Sequence, residues 1–464
     1  MNRSFIKKFS VAKVLSATVF FVLCSVTLVF VSCASRLSAT DMNALDALGV
    51  VEASSTEGAD ILSYARNLIE KHYGISELVS VNEFCKESIT AAKRLDEMAA
   101  TFGNATAGEN SEVSVAETTG ENENGTQNIK KLVVLYYELC KLAAMLHDGH
   151  TVVYMPQEII PCLEYYPINA SVIGGKIVVT AISTEYDNVV GKAVVELNGK
   201  TFDEVITALK TIISYDTESY ALASVAKQLN IRQSLDFVGL GSDDGSLRIK
   251  LDDGNEISFN PLSYDAFNEL SFNSLVTSVE RTLYTKSFYE CYDISDDTLF
   301  VQYNACMNAD GYSVADFSND VLGFIDNNGF SRVIIDLRFN GGGNSMLLDP
   351  FIKQLGKRIS AGQCKGFALI GTNTFSSAVL NAWDLKKAGC TLVGTPTGGA
   401  INHYGELGYL TLPHSGINTT YSTKHFVLDP KAAPGSIQPD VLVELSVEDW
   451  RNGHDSQVAA CMEM

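Results

Sequence analysis

The stretch Arg332-Val333-Ile334-Ile335-Asp336-Leu337-Arg338-Phe339-Asn340-Gly341-Gly342-Gly343-Asn344 sets the fold class. Its first six residues form a short, near-continuous apolar run, the pattern of a strand covered on both faces. The run ends in three glycines, which let the backbone approach a ligand closely and free N–H donors. The same glycines would serve equally as a plain strand-to-helix turn. No Gly-Lys-Ser/Thr follows them, so the segment is not a phosphate loop.

On either side of this stretch, strands alternate with helices. Thr298-Leu299-Phe300-Val301-Gln302-Tyr303 reads as a second buried strand, and Val314 to Ile325 has a helical period. Downstream, Phe367-Ala368-Leu369-Ile370, a helix from about Ala378 to Lys387, and Cys390 to Gly394 make a strand–helix–strand unit. The expectation is an α/β core. Ser376, in Thr374-Phe375-Ser376-Ser377-Ala378, falls at the strand-to-helix junction. A serine placed there projects from the sheet edge, and the helix N-terminus favours a developing negative charge. The bland use of the same residue is an N-cap. Ser377 is a rival nucleophile.

Upstream, residues from about 59 to 146 carry helical periodicity, with Ile61, Leu62, Ala65, Leu68 and Ile69 on one face. Gly103 to Gln127 interrupts it with Gly, Asn, Thr, Ser and Glu, the composition of a loosely held insertion. The helical region ends at Leu146-His147-Asp148-Gly149-His150-Thr151, where an imidazole beside a glycine can reach a cleft. His147 and His150 stand at metal-ligand spacing, but no second carboxylate–histidine cluster and no HExxH accompanies them, so no metal is expected. No cofactor is expected either. Residues from about 165 to 260 turn β-rich, with a tight-turn signal at Asn198-Gly199-Lys200 and another at Asp252-Asp253-Gly254-Asn255. Helices are expected there from about Phe202 to Ile213 and from Glu218 to Leu229.

The chain has 464 residues, 46% of them hydrophobic and 19% charged, enough for two or three globular domains. A net charge of −21 with no basic stripe argues against nucleic acid. Arg3, Lys7, Lys8 and Lys13 precede an apolar run from Leu15 to Val31, and small residues follow at Ser32, Ala34 and Ser35. That is the layout of a secretory signal, and Phe30-Val31-Ser32-Cys33 resembles a lipobox, which would lipidate Cys33 and tether the chain to a membrane. A retained anchor fits the same run. An extracytoplasmic location follows from each. Eight cysteines remain after Cys33; their spacing is wide and irregular, so bridges are permitted but cannot be paired, and Cys390 reads as a core thiol.

Five motifs stand in order: Asp148-Gly149-His150-Thr151, Asp336 to Gly343, Thr374-Phe375-Ser376-Ser377, Leu392-Val393-Gly394-Thr395-Pro396-Thr397-Gly398-Gly399, and Gln438-Pro439-Asp440. Together they resemble the tail-specific (C-terminal-processing) and tricorn-core serine peptidase family over roughly residues 130 to 455. The resemblance implies a crotonase-like catalytic core at 271–464 and a PDZ-like domain at 161–270, following the N-terminal helical region, taken as 35–160, and the signal, taken as 1–34. It also implies roles. The serine–lysine branch of that family carries a lysine that Thr397-Gly398-Gly399-Ala400 lacks. The histidine-dependent branch uses the Asp-Gly-His position, here His150. That branch completes its site with a late glutamate, where this chain has Gln438; Asp440, Asp429 and Glu406 are other candidates. Ser376 takes the nucleophile's place, and the N–H groups of Gly342 and Ser377 would hold the oxyanion.

A hydroxyl, an imidazole and free N–H donors suffice for acyl transfer. The expected activity is that of an exported serine endopeptidase acting on a peptide or protein substrate. A non-catalytic peptide-binding lipoprotein on the same fold is the alternative, motivated by Gln438 and the missing lysine, and an esterase is a third reading.

Overall fold

Every residue of Thr298–Tyr303 is buried, so this strand needs cover on both faces. It receives that cover inside a six-stranded sheet whose order is Tyr289–Ser295, Thr298–Tyr303, Arg332–Asp336, Lys365–Ile370, Thr391–Gly394 and Val441–Leu442. The first strand is antiparallel to its neighbour and the other pairings are parallel. The computed structural model describes residues 37–107, 123–186, 188–275 and 287–464.

Alternation along the strands decides which helices cover which face. Leu299, Val301, Val333, Ile335, Ala368 and Ile370 point to one side. They pack there against Val314, Phe317 and Val321 of helix Val314–Asn328, Phe351 and Leu355 of Asp349–Ser360, and Val379 and Ala382 of Ser377–Lys387. Phe300, Ile334, Phe367, Leu369 and Val393 point to the other side, against Val458 and Cys461 of helix Ser456–Glu463. Each fully buried Val, Leu, Ile or Phe among them contributes about 1.5–3 kcal/mol. Arg338 ties the terminal helix down from within, bonding Asp336, Asp455 and the Gln457 amide.

A second core joins the N-terminal helices to the β-rich region. Helices Ala39–Gly49, Thr56–Lys71, Val81–Ala107 and Glu123–Ala144 share it with the sheets Ile168–Ile173/Lys176–Ser183/Phe272–Ser274 and Lys200–Thr201/Val194–Leu197/Leu247–Leu251/Glu256–Phe259. Asn198 and Gly199 both have positive φ (48° and 76°), the paired left-handed conformation that closes a two-residue hairpin. Leu412 and Ile417, from the hairpin Asn402–Thr411/Asn418–Val427, reach into the same core.

One expectation is revised. The expected insertion at 103–127 is helical at both edges, through Ala107 and again from Glu123, while 108–122 lie outside the described residues. The targeting stretch, with Cys33, lies outside them too. All eight cysteines from Cys85 to Cys461 carry free thiols, and Cys390 is buried. Among the described residues no helix is long and apolar enough to cross a membrane.

Candidate active site

Parallel strands bring their carboxyl ends to one edge of the sheet, which is where open α/β sheets hold ligands. Asp336 pairs with Leu369 and Ile370 with Gly394, so the loops after these strands leave the sheet side by side. They are the Gly341–Gly343 loop, the 371–376 loop and the 395–400 loop. Thr374 stitches the first two, its hydroxyl donating to the Leu337 carbonyl at 2.8 Å and accepting from the Gly371 N–H at 3.0 Å. The Phe375 N–H donates to the Asn340 carbonyl at 3.0 Å, and the Gly399 N–H to that of Thr374 at 3.1 Å.

Ser376 stands at the head of helix Ser377–Lys387 with φ 51° and ψ −127° and makes no side-chain cap bond. By contrast, Ser38, Ser55, Thr201, Thr217, Ser263, Ser313 and Ser446 each accept a backbone N–H with their side-chain oxygen. The ordinary N-cap reading therefore does not describe Ser376. A non-glycine residue held in this region costs about 1–3 kcal/mol, and such strain gathers where a side chain must be presented. The Ser377 hydroxyl is committed elsewhere, donating to the Gly343 carbonyl at 2.6 Å.

Gly342 lies against the serine. A Cβ added there would sit 2.7 Å from the Ser376 Cβ and 3.0 Å from the Ser377 nitrogen, at a φ of 109°. Only glycine permits that approach. The Gly342 N–H is not idle, however. It donates to the Asn340 side-chain oxygen at 2.9 Å.

His150 comes from the loop after helix Glu123–Ala144, held by the Asp148 carboxylate. Asp148 accepts the His150 N–H, the hydroxyls of Thr151 and Ser422, and a bond from the His72 ring. These partners hold it well below the usual carboxylate range against the effect of burial. The His150 ring is 6% exposed and stacks on Phe375 with centroids 4.8 Å apart. Its other face meets His403 at 5.4 Å. The structure thus brings His150 to the residue immediately before Ser376, but neither ring nitrogen has a hydrogen-bond partner. Burial lowers its pKa and Asp148 works in the opposite direction, so the ring is neutral at neutral pH.

Gln438 is not brought to the imidazole. It is exposed, and its amide donates to the Ser436 carbonyl at 3.4 Å. Asp440 pairs with Lys386, Glu406 with Lys424, and Asp429 accepts the Lys431 N–H. Asp216, which local spacing did not single out, does come near. One of its oxygens accepts the Gly149 N–H at 2.7 Å and the other the Ala400 N–H at 3.3 Å. Its carboxyl is pushed up to about 7, first by burial and then by Asp148. Ligand atoms of Asp148, His150 and Asp216 lie within 4.8 Å of one another, close enough to hold a metal ion, although four protein donors already occupy Asp148. His403 was missed as well; its Nδ1 meets the Ala400 carbonyl at 2.8 Å.

No family model matches the chain, and no curated protein does. Among solved structures it is similar to mature CPAF, with a TM-score of 0.54 at 12% identity over 91% of this chain and 96% of that one. Mature CPAF complexed with lactacystin gives 0.54 at 12% identity, over 92% and 98%. The photosystem II D1 C-terminal processing protease gives 0.37 at 13% identity, over 85% and 94%. The chain has the fold of mature CPAF.

Proposed function

We propose that the chain is an exported serine endopeptidase in which Ser376 is the nucleophile and His150 the general base. The observation that carries the reading is the Ser376 backbone, strained and uncapped at a strand-to-helix junction with the His150 ring stacked on its neighbour Phe375. A neutral imidazole can take the hydroxyl proton as Ser376 Oγ attacks a peptide carbonyl carbon. The oxyanion then meets the N–H of Ser377, an unpaired donor of the first helical turn, and that of Gly342 once the substrate oxygen competes with the Asn340 side chain. His150 returns the proton to the leaving amine, and water hydrolyses the acyl-enzyme by the same steps in reverse order.

The remaining expectations complete the proposal. Residues 271–464 act as a crotonase-like catalytic core, and 161–270 as a PDZ-like domain adding an extended peptide as a strand. The N-terminal stretch exports the chain and tethers it through Cys33, with 35–160 as the helical region between. A fluorophosphonate probe tests the chemistry. Ser376→Ala should abolish labelling and Ser377→Ala should keep it; undiminished labelling of Ser376→Ala removes the assignment, and absence of wild-type labelling favours the peptide-binding alternative.

A further inference from the structure

His150 is buried with two unpartnered ring nitrogens, a costly arrangement for a group that must accept and carry a proton. A serine–histidine pair needs a third group that holds the ring and stabilises its charged form. We propose that Asp216, from the turn before helix Glu218–Gln228, is the positioning residue for His150, a role that rests on the serine-peptidase reading above.

Three observations independent of charge support the assignment. First, Asp216 grips both walls of the slot that holds the imidazole. Its two oxygens take the N–H of Gly149, the residue directly before His150, and that of Ala400, whose carbonyl fixes the His403 ring against His150. Second, the slot is built tightly around the carboxylate. A Cβ on Gly149 would sit 2.0 Å from Asp216 Oδ1 and 2.8 Å from the Phe375 ring, so the glycine of Asp-Gly-His is what allows carboxylate and ring to close on the loop. Third, an Asp216 oxygen and a His150 nitrogen already lie within 4.8 Å of each other. Catalytic hydrogen bonds are commonly long before substrate binds.

The other carboxylate in reach is Asp148, 3.8 Å from His150 Nδ1. It is held by four donors and works as a fixed charge, not as a group free to follow the ring. The groups facing Asp216 are Asp148, Tyr220 and His150 itself, with His403 behind His150. Of these, Asp148 stays ionised, Tyr220 is raised above its ordinary value, and His403 is uncharged above about 4. Asp216 is therefore the carboxylate whose ionisation falls in the working range, and its charge would stabilise the imidazolium formed as Ser376 gives up its proton.

The test is the rate of fluorophosphonate labelling of the full chain between about pH 5.5 and 8.5, for wild type, Asp216→Asn, Asp216→Glu and Gln438→Ala. Wild type should gain rate through a limb centred near 7. Asp216→Asn should lose about 10²-fold at pH 8 and lose that limb, which a purely structural lesion would lower without erasing. Asp216→Glu, which keeps the charge, should restore the limb even where it folds less well. A wild-type profile in Asp216→Asn, or the same loss in Gln438→Ala instead, overturns the assignment. Failure of the wild type to label would overturn the peptidase reading itself, a distinct result.

Discussion

A serine at φ 51° carries strain that an ordinary cap would not, so Ser376 should behave unlike the other serines at helix starts. Ser376→Ala keeps a Cβ in the same unfavourable region, whereas Ser376→Gly removes it. The glycine variant should therefore unfold about 1 kcal/mol later than the alanine variant, because glycine adopts positive φ without steric cost. Denaturant midpoints of the two variants decide it; equal midpoints would mean that the backbone is relaxed there. The torsion was not legible in the sequence, since Thr-Phe-Ser-Ser-Ala fits a cap as well as a nucleophile. The glycines were legible as positions of close approach, and the contact distances at Gly149 and Gly342 say what approaches them. Asp216 was hidden for a different reason. It has no motif of its own, and it comes near His150 only because the central region folds over the loops at the sheet edge.

That folding-over lives in one short element. Helix Glu218–Gln228 begins at Thr217, whose hydroxyl accepts the Tyr220 N–H at 3.2 Å and donates to the Gly398 carbonyl at 2.6 Å. Ser219 adds a bond to the Thr397 carbonyl at 2.9 Å. The helix start is thus both capped and hooked to the loop after strand Thr391–Gly394, and it fixes Asp216 one residue away. Thr217→Val keeps the shape and loses both bonds, leaving a buried carbonyl unpaired. It should cost about 1–3 kcal/mol in denaturant unfolding and slow probe labelling, with Ser376 still the labelled residue. Unchanged stability would mean that the hook contributes nothing. The helix itself was expected from sequence at 218–229, as were the strands at 298–303 and 332–337, because buried parallel strands have apolar runs that need no partner to be recognised. The helix expected at 314–325 runs on to Asn328 because a left-handed Gly329, φ 66°, stops it only there. What could not be read was which loop the 218–228 helix would hook, since that depends on a carbonyl 181 residues away.

At the scale of the whole molecule, the buried titratable groups around the site make stability depend on pH in opposing ways. Burial, and then the neighbouring His150, lowers His403 to about 4, below the 6.5 of an exposed histidine. Between those values the unfolded chain binds the proton and the folded chain does not, so the contribution of His403 is intact above 6.5 and is lost as pH falls towards 4. His150 is lowered as well and acts with the same sign. Asp216, raised to about 7, does the reverse: folding binds its proton between about 3.9 and 7, so its cost is absent at low pH and complete above 7. The two overlap from about 4 to 6.5 and partly cancel in the native chain. His403→Phe, which keeps a ring against His150 and Phe426, should uncouple them. The variant's unfolding free energy minus that of wild type should be greatest near pH 4, fall by roughly 2–3 kcal/mol up to pH 6.5, and stay level from there to pH 8. The same difference for Asp216→Asn should run the other way, rising with pH until about 7. A difference for His403→Phe that is flat from pH 4 to 8 would mean that this ring is protonated as easily in the folded chain as in the unfolded one, and that the stacked column beside Ser376 is open to water.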